Sequence, residues 1–151
     1  MHTEHLQNVT FGRVLGGWLV AIAVTSFVVL AFIASGMSAE APTAASSIAS
    51  LVAVIVGFLA GGFFVGFRAR RAPILHGVAM GLVSIVAWVI ANVLSELLTS
   101  AADWTGLGPA IAIGLVLAQM VAATVGALLG YNLVLRGKPG LQEDMPPEAL
   151  K

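Results

Sequence analysis

Four long stretches without a charged side chain constrain this chain more than any other feature of its sequence. They run from Val14 to Gly36, Ile48 to Phe67, Ile74 to Ser95 and Ala110 to Leu135. A bilayer's hydrocarbon core is about 30 Å thick and a helix rises about 1.5 Å per residue, so about 20 apolar residues cross it. Each stretch meets that length. Lipid offers no water to pair with backbone N–H and C=O groups, so a span must satisfy them internally, as a helix does. A barrel strand would alternate polar and apolar residues over about 10 positions, and none of the runs does so. Composition agrees: 59% of the residues are hydrophobic and 9% charged, against about 25% charged in a typical soluble domain. The sequence predicts an all-α fold, an integral membrane four-helix bundle.

The first stretch is too long for the apolar segment of a signal peptide. Ser35, Gly36, Met37, Ser38 and Ala39 make only a weak small-residue cleavage pattern, so it is expected to remain as a span. Orientation follows from the basic residues. Arg13 precedes the first span, Arg68, Arg70 and Arg71 fill the turn after the second, and Arg136 and Lys138 follow the fourth. The other two loops carry Glu40, Glu96 and Asp103 but no Lys or Arg. The positive-inside rule then makes both termini cytoplasmic and the protein multi-pass in the plasma (inner) membrane. Trp18 and Trp104 suit interfacial positions. The Arg68, Arg70, Arg71, Arg136 and Lys138 set also suits anionic headgroups, at about 1 kcal/mol per charge.

The expected organisation is a cytoplasmic N-terminus at 1–13, a transmembrane domain at 14–139 with spans at about 14–36, 48–67, 74–95 and 110–135, and a mobile cytoplasmic tail at 140–151. The short turn between the second and third spans makes them antiparallel neighbours, and Pro73 stands where a helix can begin. A shift of 64 positions lays Gly62, Gly66 and Phe67 on Gly126, Gly130 and Tyr131, and Gly17 on Gly81. Read as a duplication, this makes two parallel helical-hairpin repeats about an axis along the membrane normal. Read as chance, it reflects how common glycine is in membrane helices.

Inside lipid, close packing rather than water holds helices together, and small residues permit it. Gly57 and Gly61 share one stripe of the second span with Ala53, and Gly62 and Gly66 lie on an adjacent stripe. Gly77 and Gly81 mark the third span, and Gly126 and Gly130 the fourth, with Ala118 and Ala122. The first span offers Gly12 and Gly16, with Gly17 and Ala21 beside them. Two stripes on the second span predict more than one neighbour for it. These faces hold the bundle together, or one of them faces another subunit.

Ionisable and polar groups within spans are functional candidates because they are costly to bury there. His76 lies near the basic end of its span. It either hydrogen-bonds a headgroup or backbone carbonyl or, as the lesser alternative, ligates a haem or chlorin. Trp88, Asn92 and Glu96 recur every four residues with Ser84 below them. Glu96 stands about 30 Å along the helix from His76, at the far interface. It is a wetted helix-end charge or, less favoured, an ion-handling carboxylate. Gln119, Thr124, Thr25 and Ser26 lie near mid-membrane, where they bond across helices or line a narrow polar path.

The segment from Gly57 through the basic turn to His76-Gly77 resembles uncharacterised small four-helix prokaryotic membrane proteins, in which a glycine-rich second span passes through such a turn into a His-Gly that opens the third. That resemblance implies the four-span layout and no assigned activity. The signature segments of small multidrug exporters and of fluoride channels are not seen.

No Ser/His/Asp set is visible, the chain has no cysteine, and its glycine clusters lie in apolar spans beyond a nucleotide's reach. His2, Glu4 and His5 could hold a metal only loosely, so no metal or cofactor is expected. Enzymatic and nucleic-acid-binding roles are disfavoured. The expected partners are the bilayer and either a membrane protein or further copies of the chain. Two functions fit: a non-catalytic accessory or structural subunit, or a small homo-oligomeric channel or transporter lined by Thr25, Ser84, Asn92 and Gln119.

Overall fold

The computed structural model describes residues 9–36, 44–69, 72–99 and 108–136, with the side chains at 44, 99 and 108–112 left aside. Within them the chain is all-helical: α1 (Phe11–Ala34), α2 (Ala44–Arg68), α3 (Pro73–Thr99) and α4 (Gly108–Arg136). All four are long and apolar enough to cross a bilayer, which makes this a multi-pass membrane protein. Arg70, Arg71, Lys138, Trp104, the His2–His5 segment and the tail from Gly140 lie outside the described residues.

The helices overrun the uncharged stretches at most ends. α1 starts at Phe11, α2 at Ala44, and α3 runs on to Thr99. Polar residues at an interface do not break a helix. Ser50 Oγ, for example, donates to Ser46 O at 2.9 Å within α2 and leaves the backbone ladder intact. α1 ends by a different device: Ser35 Oγ donates to Phe32 O at 2.7 Å, and Gly36 follows at φ +95° with its N–H on Ile33 O. A positive φ just past a helix is the conformation glycine adopts without steric cost. Ala72, buried, sits at φ +53° and hands the chain to Pro73 at the first position of α3.

The helices form a ring in the order α1, α2, α4, α3, with α2 against α4 the most extensive interface and α1 against α3 the sparsest side. α2 uses both of its small-residue stripes. Gly57 and Gly61 face α1, where a β-carbon at 57 would stand 2.6 Å from Ala21 O and one at 61 would stand 2.8 Å from Ala21 Cβ. Gly62 and Gly66 face α4, where β-carbons would overlap the carbonyls of Ala123 and Ala127. Gly126 and Gly130 return the contact, lying against the carbonyls of Leu59 and Phe63. The two backbones therefore touch through four glycines, an approach that larger residues forbid. Gly77 and Gly81 serve α3 against Thr124 and Met120 of α4.

Two expectations need correction. α2 and α3, joined by the short turn, do not lie side by side: α1 and α4 take the two small-residue faces of α2, and α3 stands diagonally across the ring from it. The small face of α1 is Gly17 and Ala21, both buried. Gly12 has nothing within 4 Å, and Gly16 meets only Phe64, at 3.9 Å. The glycine stripes on α2 and α4 are occupied within the chain, as the reading that they hold the bundle together expects.

The α2–α4 contacts obey the 64-residue shift. Gly62 against Ala123 maps onto Gly126 against Leu59, and Gly66 against Ala127 maps onto Gly130 against Phe63. The outer pairs do not obey it. Gly61 meets Gly17 and Ala21, whereas Gly81, the image of Gly17, meets Met120 rather than Val125, the image of Gly61. The approximate twofold relation thus belongs to the central helix pair, and the two hairpins pack in different registers.

Candidate functional site

Arg13, Arg68 and Arg136 mark one end of the bundle, because α1 begins there and α2 and α4 finish there. The tight core lies toward this basic end: Val14, Phe58, Val65, Met80, Ala123 and Ala127 are all buried. The Arg68 guanidinium caps it, with its carbon 4.7 Å from the centroid of the Phe64 ring. Cation–π contacts of this kind contribute about 0.5–1 kcal/mol at exposed sites.

His76 is fully buried at this end. Its Nδ1 lies 2.7 Å from Ala72 O, and its Nε2 lies 3.2 Å from the Thr10 backbone nitrogen. A carbonyl only accepts and a backbone N–H only donates. Nδ1 therefore carries the proton and Nε2 accepts, which is a neutral tautomer with both nitrogens engaged. Such a ring has no lone pair left for a haem or chlorin iron or magnesium. His76 instead ties the start of α1, where Thr10 is the N-cap and makes no side-chain cap bond, to the first turn of α3. The expected bond to a backbone carbonyl is present, and the second bond, to Thr10, makes His76 an interhelical clamp as well.

A second bond joins the same helices. Trp18 Nε1 donates to Ser84 Oγ at 3.1 Å, and Ser84 Oγ donates to Met80 O at 3.2 Å. Trp18 is therefore an interhelical donor. Both pairs are 66 residues apart. Between them lies an apolar groove of about 450 Å³, lined by Val9 and Phe11 ahead of α1's core and by Leu75, Val78 and Leu82 of α3.

The other polar candidates do not converge. Thr25 Oγ1 is buried over Gly57 in the α1–α2 interface and has no hydrogen-bond partner. Asn92 Nδ2 donates to Trp88 O at 3.0 Å on its own helix. Glu96 is exposed near the far end of α3, as its helical rise predicts. Gln119 stands on the wall of a cleft of about 420 Å³ between α3 and α4, and its Oε1 is sealed from solvent without a partner. Facing it are Ser84, Ile85 and Trp88. Sequence reasoning missed this cleft, because no periodicity encodes where two helices diverge. The signal was only the isolated glutamine in an otherwise apolar stretch.

Comparison with protein-family models, with curated proteins and with solved structures finds no match for this chain.

Proposed function

We propose that this is a non-catalytic membrane subunit that works by packing against another membrane protein or against its own copies. One observation carries the reading. From Val86 to Leu98 nearly every residue of α3 is exposed, on successive sides of the helix, and exposure reaches 75% at Leu97 and 80% at Leu98. Among the described residues almost nothing covers α3 over these turns, whereas the basic half of the bundle is packed backbone to backbone. Interfaces between spans form by close packing and shared hydrogen bonds, and the uncovered half of α3 offers a whole helix surface for them.

The basic end is assigned to the cytoplasm and the protein to the plasma (inner) membrane, on the positive-inside rule. The channel reading has less support. Ser84 and Gln119 share the α3–α4 cleft, but Thr25 lies in the α1–α2 interface and Asn92 bonds its own helix, so a pore lined by all four would require several copies.

The test uses the absence of cysteine from the chain. Single Val93→Cys and Leu97→Cys variants, carrying a photo-crosslinker, are irradiated in native membranes. Gentle extraction and native mass measurement follow. The expected result is a cross-linked species of fixed mass that matches a stoichiometric complex. A monomer by native mass, with cross-links to lipid alone, would overturn the proposal. A homo-oligomer that conducts ions in liposomes would replace it with the channel reading.

A further inference from the structure

The α3–α4 cleft has the makings of a ligand site independent of any protein partner. α3 and α4 are in backbone contact at Gly77 and Thr124, and Gly81 lies against the Met120 side chain. Toward the end opposite the arginines, the space between them is a cleft of about 420 Å³. That volume is within the range of small-molecule sites, about 300–1,000 Å³. Its walls are aliphatic apart from the Trp88 ring, Ser84 and Gln119. Ser84 is already bonded to Trp18 and Met80. Gln119 is not satisfied, since its Oε1 is buried and unpartnered.

A buried acceptor without a donor is a standing cost to a fold and calls for an explanation. No donor among the described residues pairs with it. An occupant of the cleft can do so once the amide oxygen turns from its sealed position toward the cavity, a rotation about the soft terminal torsion of a glutamine. Depth narrows its chemistry. Gln119 is eleven residues into α4 from Gly108, roughly 16 Å of helical rise in a helix of 29 residues. Charged and zwitterionic headgroups are held at the interface, so the group that meets an amide at this depth is neutral. A hydroxyl both donates and accepts, and so pairs with either end of a primary amide.

We propose that the α3–α4 cleft binds a neutral, membrane-soluble molecule whose apolar body fills the space beside Trp88 and Ile113 and whose hydroxyl pairs with Gln119. A long-chain isoprenoid alcohol and a short-tailed hydroquinone share this chemistry.

The purified full chain in phosphatidylcholine nanodiscs is photolabelled with a diazirine-tagged isoprenoid alcohol, and the labelled residues are mapped by mass spectrometry. Labels should concentrate on Ile85, Trp88, Ile113 and Val116. The untagged alcohol should compete at about three- to tenfold lower concentration than its parent hydrocarbon, the worth of one neutral hydrogen bond. A parallel competition with the hydroquinone shows which source binds more tightly, and preference for either over hydrocarbon supports the site. Gln119→Leu should abolish the preference while the protein still unfolds cooperatively. Ile113→Trp, at an exposed position, should reduce labelling by filling the cleft while leaving the amide in place. Labels scattered over the lipid faces of all four helices would overturn the proposal, as would equal competition by alcohol and hydrocarbon. Labels on Ile85 and Trp88 that vanish when a co-purifying membrane protein is present would assign the cleft to a partner helix instead.

Discussion

Replacing Gly66 with alanine tests the backbone-to-backbone packing on which the fold depends. A β-carbon at position 66 would overlap the carbonyl oxygen of Ala127 and stand 2.6 Å from its carbonyl carbon and 2.7 Å from its Cα. Non-bonded carbons rest about 3.5–4.0 Å apart, so α2 and α4 must separate locally by about 1 Å. All three obstructing atoms are backbone and cannot rotate away. Overpacking a core typically costs about 1–3 kcal/mol. Because the neighbouring contacts of Gly62, Gly126 and Gly130 loosen along with it, the upper figure applies, about 3 kcal/mol. That is about a hundredfold in the ratio of folded to unfolded protein. The assay is reversible unfolding in mixed micelles with increasing denaturing detergent, followed by circular dichroism. Gly12→Ala is the control: nothing lies within 4 Å of that site, and the expected change is within about 0.5 kcal/mol. Gly130→Ala should behave like Gly66→Ala, and the double variant should lose less than the sum, since the helices have already parted. A Gly66→Ala protein within about 0.5 kcal/mol of the parent would refute the reasoning.

Three further outcomes are expected. Trp18→Phe and Ser84→Ala should each cost about 0.5–1.5 kcal/mol and show positive coupling in a double-mutant cycle, because one hydrogen bond joins them; independent, additive losses would deny the bond. His76→Leu should destabilise by about 1–3 kcal/mol and speed hydrogen exchange at the Thr10 amide, which loses its acceptor; unchanged exchange there would place the clamp elsewhere. Thr25→Val removes a buried hydroxyl without a partner and should stabilise by about 1 kcal/mol in the same detergent titration. A loss would show instead that Gly57, beneath that hydroxyl, serves it through its Cα–H.

The four spans were legible because hydropathy over about 20 residues is a strong, local signal. The double role of α2 was legible too, since four-residue spacing places Gly57 with Gly61 and Gly62 with Gly66 on separate stripes. Spacing does not say which stripe a neighbour will use, however. On α1, Gly12 and Gly16 satisfy the same rule as Gly17 and Ala21, yet only the latter pack closely against the α2 backbone. The difference lies in where α1 crosses α2, a property of both helices at once. The His76–Thr10 and Trp18–Ser84 bonds escaped for a related reason. Each joins a residue to one 66 positions away, and nothing near either residue in sequence announces its partner. In hindsight the equal separations were the available clue, since side-by-side parallel helices pair residues at a constant offset.

The distribution of small residues explains why one half of the bundle is closed and the other is not. Gly17, Gly61, Gly62, Gly66, Gly77, Gly126 and Gly130 all lie toward the basic end or at mid-span, and each sits where a β-carbon would meet a neighbouring backbone. Beyond them α3 is built mostly from Ile, Val and Leu, with Trp88 and with Ser84, Ala87, Ala91, Asn92, Ser95 and Glu96 interspersed, and bulky side chains hold helices apart. In water such surfaces would collapse together, because burial of apolar area drives association. In lipid that force is absent, since the acyl chains are as apolar as the side chains. The far half of α3 therefore gains nothing by folding back onto its own chain, and the cleft beside Gln119 is not squeezed shut. The same absence of a collapsing force that leaves these surfaces open also sets the terms for whatever covers them. Apolar area alone cannot hold an occupant there, so specificity has to come from shape and from the few polar groups of the cleft wall, Ser84 and Gln119, of which Ser84 is already bonded and the Gln119 amide oxygen is not.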